Sequence, residues 1–182
     1  MIRPAIFFDR DGTLNEDCHY PHWIDDLVLI PGAAKAVRAF GDAGFFIVII
    51  TNQSGIARGY FDTSAFNRFN DPLCNAFIRE GARVDLILHC PHHPDFTGPC
   101  LCRKPRPYLI QVATERLQID LHNSLLIGDS PSDVECAQAA GINGYLFPGG
   151  DIYDFCKKNS LLCWNHFLQI FRRDAQVTVF KK

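Results

Sequence analysis

Five short apolar runs, each closed by a polar or glycine-bearing turn and interleaved with helical periodicity, constrain this chain more than anything else in it. They are Ala5 to Phe8, Phe45 to Ile50, Val84 to Leu88, Ser124 to Ile127 and Gly144 to Phe147. A strand buried on both faces reads as an unbroken apolar run, and such strands alternating with helices are the pattern of a parallel sheet covered by helices. The spacing predicts helices over Gly32 to Ala43, Thr63 to Glu80, Pro107 to Leu117 and Pro131 to Ala140, with Gly141 in the glycine position that stops the last one. Pro72 is expected to kink or split the second helix, because it lacks an N–H and its ring crowds the preceding turn.

With 182 residues, 47% of them hydrophobic, the chain can bury one good core, so one domain is expected. A net charge of −2 gathers neither nucleic acid nor anionic lipid, which points to small-molecule partners; a monomer is expected. Its longest apolar stretches, such as Gly44 to Ile50, fall far short of a membrane span, and no signal-peptide pattern opens the chain. Cytoplasm is the expected location. Without a secretion signal, the eight cysteines read as metal ligands or small buried hydrophobes rather than disulfides. Residues 1–150 form the expected core, and 151–182 a C-terminal extension. In that extension Phe155, Leu161, Leu162, Trp164, Phe167, Leu168, Ile170 and Phe171 suggest a packed helix, and Val177 to Lys182 a tail or short edge strand.

Asp9 stands where the first buried strand emerges, Asp11 follows two residues later, and Gly12 allows the backbone to turn away. Ligands of open parallel sheets gather outside the carboxyl ends of the strands, so these acids sit where chemistry is expected. Clustered carboxylates suit magnesium, a hard cation that takes oxygen ligands. Asp9 could then attack phosphorus while Asp11 protonates the leaving alkoxide and later activates water. At the second strand end, Thr51, Asn52, Gln53 and Ser54 offer donors for phosphoryl oxygens, and Arg103 with Lys104 supplies positive charge before the third helix. At the fourth, Leu125 to Gly128 run into Asp129 and Asp133. Each segment alone is an ordinary turn or surface loop.

In this order, and at these strand ends, the four segments resemble the haloacid dehalogenase superfamily, specifically its phosphatases, over about the first 150 residues. The resemblance implies a three-layer, Rossmann-like α/β fold with Asp9 as nucleophile and Asp11 as general acid and base. It also implies Thr51 and Lys104 as phosphoryl stabilisers, Asp9, Asp11 and Asp129 as the magnesium site, and Asp133 as a supporting acid. The stretches between the motifs are too short for a large cap domain.

Cys90, His92, Cys100 and Cys102 form a Cys-x-His, spacer, Cys-x-Cys set that can close a tetrahedron around a structural zinc within loop 89–104. His89 and His93 compete as ligands, although the first set matches the resemblance. Such a loop would hold Arg103 and Lys104 in register with the phosphate. It narrows the resemblance to heptose bisphosphate phosphatases and histidinol-phosphatases, and Thr51 to Phe61 looks like the heptose branch. That branch implies hydrolysis of the 7-phosphate of D-glycero-D-manno-heptose 1,7-bisphosphate, within nucleotide-activated heptose and lipopolysaccharide biosynthesis. Histidinol phosphate or another small ester is the alternative substrate. The branch also implies substrate contacts from Asp17, Cys18, His19, Tyr20, Asn52, Gln53, Ser54, Arg58 and Arg103. Two features depart from its pattern: a short spacer between His92 and Cys100, and Ser130 where a basic residue often stands.

Overall fold

A computed structural model describes residues 2–162. Its five-stranded sheet is parallel throughout, in the order β3-β2-β1-β4-β5. The strands are β1 (Ala5–Phe8), β2 (Phe46–Asn52), β3 (Leu86–Cys90), β4 (Leu125–Gly128) and β5 (Asn143–Leu146). The order reverses between β1 and β4, so the carboxyl ends of β2, β1 and β4 border one crevice.

Side chains of alternate residues leave a strand on opposite faces, and both faces are apolar here. Ile6, Phe8, Ile47 and Ile49 pack with Val37 and Phe40 of α1 (Ala33–Asp42), Leu73 and Phe77 of α3 (Thr63–Arg79), and Ile152 and Cys156 of α7 (Ile152–Lys158). Ala5, Phe7, Val48 and Ile50 pack on the other face with Leu109, Ile110 and Ala113 of α5 (Tyr108–Leu117) and Cys136 and Ala137 of α6 (Pro131–Ala139). The result is the three-layer α/β fold expected from the apolar runs. Each fully buried Phe or Ile contributes about 1.5–3 kcal/mol. Short helices α2 (Ser54–Ala57) and α4 (Pro94–Thr97) occupy loops in which no helix was predicted.

Pro72 does not split α3, which runs unbroken through it. The carbonyl that the proline leaves without a donor belongs to Arg68, an exposed residue, so water can satisfy it while Phe66, Phe69, Leu73 and Phe77 keep the helix packed. Gly141 has φ of 77° just after α6, as its place in the sequence predicts. Of the residues read as a packed terminal helix, Phe155 lies in α7 and Leu161 is buried beyond it, whereas Trp164 to Phe171 and Val177 to Lys182 lie outside the described residues. No helix among the described residues is long and apolar enough to cross a membrane.

Candidate active site

The chain leaves β1 through Asp9, whose N–H donates to the Ile127 carbonyl at 3.0 Å and so continues the ladder to β4 for one more residue. Gly12 then turns the backbone with φ of +80°, and a Cβ placed there would lie 2.2 Å from an Asp129 carboxylate oxygen. Both the conformation and the close approach require glycine.

Buried Lys104 reaches the same point from the loop before α5. Its Nζ donates to Asp9 Oδ1 at 2.5 Å and to the Ile50 carbonyl at 3.0 Å, and pairs with Asp133 Oδ1 at 2.6 Å. Asn52 clamps the Lys104 backbone to the end of β2, accepting from its N–H at 3.0 Å and donating to its carbonyl at 3.2 Å. Asp133, in the first turn of α6, accepts the Ser130 N–H at 3.1 Å, so the helix cap and the ion pair fix the two Asp133 oxygens separately.

A cavity of about 420 Å³ opens over these groups. It is lined by Asp9, Asp11, Thr51 and Lys104, by Asp129 and Asp133, and by Asp17, His19, Tyr20, Asn52, Gln53 and Arg103. Cys18, Ser54 and Arg58 are not among the lining residues. Ser54 is buried at the start of α2, and Cys18 is exposed on the loop between Asp17 and His19. Arg58 turns toward the cysteine-rich loop, with Nη2 3.2 Å from His93 Nε2 and its guanidinium 4.6 Å above the Phe96 ring. His19 and Tyr20 both adopt left-handed backbone, with φ of 62° and 67°, which non-glycine residues hold only when neighbours enforce it. Tyr60 packs edge-on against Tyr20 at 5.1 Å.

Burial pushes the Asp9 carboxyl up to about 7; Asp133 and Asp11 push the same way, and Lys104 opposes them. Burial alone would lower Lys104, but Asp9 and Asp133 outweigh it and hold the ammonium charged. Asp129 is raised by burial and by Asp133. Oxygens of Asp9, Asp129 and Asp133 lie within 4.8 Å of one another, and this all-oxygen donor set suits magnesium.

The Asp11 side chain stands outside that group because its oxygens are already engaged. Oδ1 accepts from Arg10 Nε at 2.8 Å and Asn15 Nδ2 at 2.9 Å, while Oδ2 accepts from Arg10 Nη2 at 3.0 Å and Gln53 Nε2 at 2.8 Å. Gln53 Nε2 also donates to Thr51 Oγ1 at 2.8 Å. Arg10 and the cavity-lining Ser132 were not singled out from the sequence, and Ser130 only as a departure from the family pattern; an arginine between two acids reads as solvated surface, yet Arg10 is fully buried.

The sulfurs of Cys90, Cys100 and Cys102 gather at 2.9, 3.6 and 3.7 Å from one another. Zn–S bonds of about 2.3 Å place tetrahedral sulfurs roughly 3.8 Å apart, so two of the three spacings fit zinc, and all are too long for a disulfide. The His92 ring is not part of this group; its backbone carbonyl accepts from Arg103 Nη1 at 3.4 Å. His89 and His93 are occupied elsewhere, His89 by a tilted ring contact with Phe66 at 4.1 Å and His93 by Arg58 and the Asp95 N–H. Burial raises Cys90 and Cys102; for Cys100 burial is outweighed by the Arg103 backbone N–H and the neighbouring thiols, and its thiol is lowered.

A family model described as HAD-hydrolase-like matches residues 101–153. The D-glycero-beta-D-manno-heptose-1,7-bisphosphate 7-phosphatase of Rhodopseudomonas palustris is 42% identical over 161 residues, covering 86% of this chain and 89% of that protein. The enzyme of the same name from Haemophilus ducreyi is 41% identical over 147 residues, covering 78% and 81%. Among solved structures, D,D-heptose 1,7-bisphosphate phosphatase from B. bronchiseptica, complexed with magnesium and phosphate, aligns with a TM-score of 0.75 at 36% identity over 81% of this chain and 82% of that one. With identity of this order along most of its length, the chain belongs to the haloacid dehalogenase-like phosphatases, in the family of the heptose 1,7-bisphosphate 7-phosphatases, and is a phosphoric monoester hydrolase.

Proposed function

We propose that this phosphatase removes the 7-phosphate of D-glycero-D-manno-heptose 1,7-bisphosphate through an aspartyl-phosphate on Asp9, in the synthesis of nucleotide-activated heptose. The observation that carries this reading is a single cavity with the Asp9–Lys104 pair and Arg103 both in its lining. One phosphoryl group can react at Asp9 while a guanidinium fork grips the other. The names of the relatives support the same substrate.

In the first half-reaction an Asp9 oxygen forms a bond to phosphorus as the bond from phosphorus to the sugar oxygen breaks. The electron pair leaves with that oxygen, which takes a proton from Asp11. Lys104 Nζ and Thr51 Oγ1 hold phosphoryl oxygens whose charge shifts as the group transfers. In the second half-reaction water gives a proton to Asp11 and attacks phosphorus, the acyl-phosphate bond breaks, and phosphate leaves Asp9 as a free carboxylate. Magnesium would be held by Asp9 and Asp129, with Asp133 supporting, and would supply positive charge that keeps these acids ionised and offsets the phosphate's charge. Zinc would be held by the Cys90, Cys100 and Cys102 sulfurs, with the His92 ring turning in to close the set, and would be structural, since a closed set leaves no position for a reacting water.

Phosphate release with magnesium, measured for heptose 1,7-bisphosphate, heptose 7-phosphate and histidinol phosphate, tests the reading. The bisphosphate is expected to have the highest kcat/KM by at least about tenfold, and Arg103→Ala to shrink that margin. A histidinol phosphate value equal to or above it makes the amino alcohol ester the substrate instead.

A further inference from the structure

We propose that Arg10 is a positioning residue for proton transfer, holding the Asp11 carboxylate in its working plane and tying it to helix α3. This rests on the reading of Asp11 as the general acid. Arg10 is fully buried, with its guanidinium 4.6 Å from the Phe69 ring centroid and 5.2 Å from that of Phe66. One edge of the guanidinium meets both Asp11 oxygens through Nε and Nη2, and Nη1 donates to Asn70 Oδ1 at 3.2 Å in the middle of α3. Nη2 also donates to the Pro21 carbonyl and to Gln53 Oε1, each at 3.2 Å.

Taking a guanidinium out of water is costly before its partners offset it, and an apolar side chain would fill a slot between two phenylalanines at less cost. What the charge adds is geometry. A planar two-point contact fixes the rotation of a carboxylate in a way a single hydrogen bond does not. The four donors around Asp11 fill the acceptor sites of an ionised carboxylate, so carrying a proton requires one of them to let go. Gln53 is the one among the four donors' residues that lines the cavity, and so the one a bound substrate can displace, leaving Arg10 and Asn15 in place.

The test compares p-nitrophenyl phosphate with phenyl phosphate, esters of nearly the same shape whose leaving groups differ in their need for a proton. The readout is kcat/KM, which extends only through the first irreversible step, expulsion of the alcohol, and so is blind to the later role of Asp11 as base. Asp11→Asn should cost phenyl phosphate about 100-fold or more, in the range of a lost general acid, and p-nitrophenyl phosphate much less. Arg10→Lys, which keeps a charge but not the fork, and Asn70→Ala, which removes only the outer anchor and is the milder change for folding, should show the same bias at about tenfold, with KM little changed. If Asp11→Asn shows the bias while both other variants slow the two esters equally or not at all, Arg10 is structural and the inference falls alone. Absence of the bias in Asp11→Asn removes the general-acid reading together with it.

Discussion

Replacing Lys104 by methionine keeps the unbranched shape of the side chain up to the ammonium but takes that ammonium from between two buried carboxylates. Asp9 and Asp133, 2.5 and 2.6 Å from Nζ, would then face each other without a counter-charge, and the Ile50 carbonyl would lose its donor. Removing one partner of a buried ion pair costs about 3–5 kcal/mol, and the full figure is expected without divalent metal at pH 8. The dependence on pH follows from Asp9, already pushed up from 3.8 to about 7, first by burial, with Lys104 opposing the rise. A carboxyl whose folded-state value lies above its unfolded one contributes stability in acid that is lost as pH rises through the folded value. Methionine removes the opposing charge and pushes Asp9 higher, so the deficit should be small at pH 5 and largest at pH 8. Urea unfolding at both pH values in the presence of a chelator measures it, and an Asp9→Asn, Lys104→Met double variant closes the cycle by removing the titrating group. A deficit below about 1 kcal/mol at pH 8, or one equal at both pH values, refutes the reasoning. In turnover, loss of this charge should lower kcat by about 10²–10³-fold, as loss of a single stabilising donor does.

Gly128→Ala adds a methyl group 2.3 Å from Asp133 Cγ at a position without unusual backbone, so it should displace that acid and leave the fold intact. Magnesium affinity by calorimetry is expected to fall about 10–100-fold, and an unchanged value would show that Asp133 does not support the metal. Elemental analysis should find about one zinc per chain, and Cys100→Ser should lose it, melt at lower temperature and turn over more slowly as Lys104 leaves its register. A zinc-free protein of full activity would exclude a structural zinc.

The sheet was legible because strands buried on both faces spell themselves out as apolar runs, and the observed ends fall within about two residues of those expected, ordinary slippage for strand ends. Val84 to Leu88 became Leu86–Cys90, a shift that puts Cys90 on the last residue of β3 and carries the cysteine-rich loop directly off the sheet. The acids at the ends of β1 and β4 were legible for the same reason: a carboxylate next to a buried run has no apolar purpose. Arg10 was not, since its partners Asn70 and Gln53 are 60 and 43 residues away and only the folded chain brings them together. Arg58 illustrates the converse. Its place in a glycine-bearing motif beside Thr51 suggests phosphate, but the end of α2 aims it at His93 and Phe96. The His92 ring is the least legible of the metal candidates, because spacing along a loop constrains where the chain passes and not where a ring turns.

The central position of β1 also bears on how the protein is made. Its partners are β2, with Ala5 beside Phe46, and β4, with Ile6 beside Leu125, so among the described strands the second partner is the next-to-last to leave the ribosome. Until then a chain with β1 to β3 already paired presents one open, wholly apolar strand edge, the kind of surface that recruits other nascent chains. That shorter chain already contains Asp9, Asp11, Thr51 and Lys104 but lacks Asp129 and Asp133. Closing the vulnerable edge and bringing in these acids therefore coincide, and on refolding, turnover is expected to return together with this long-range pairing.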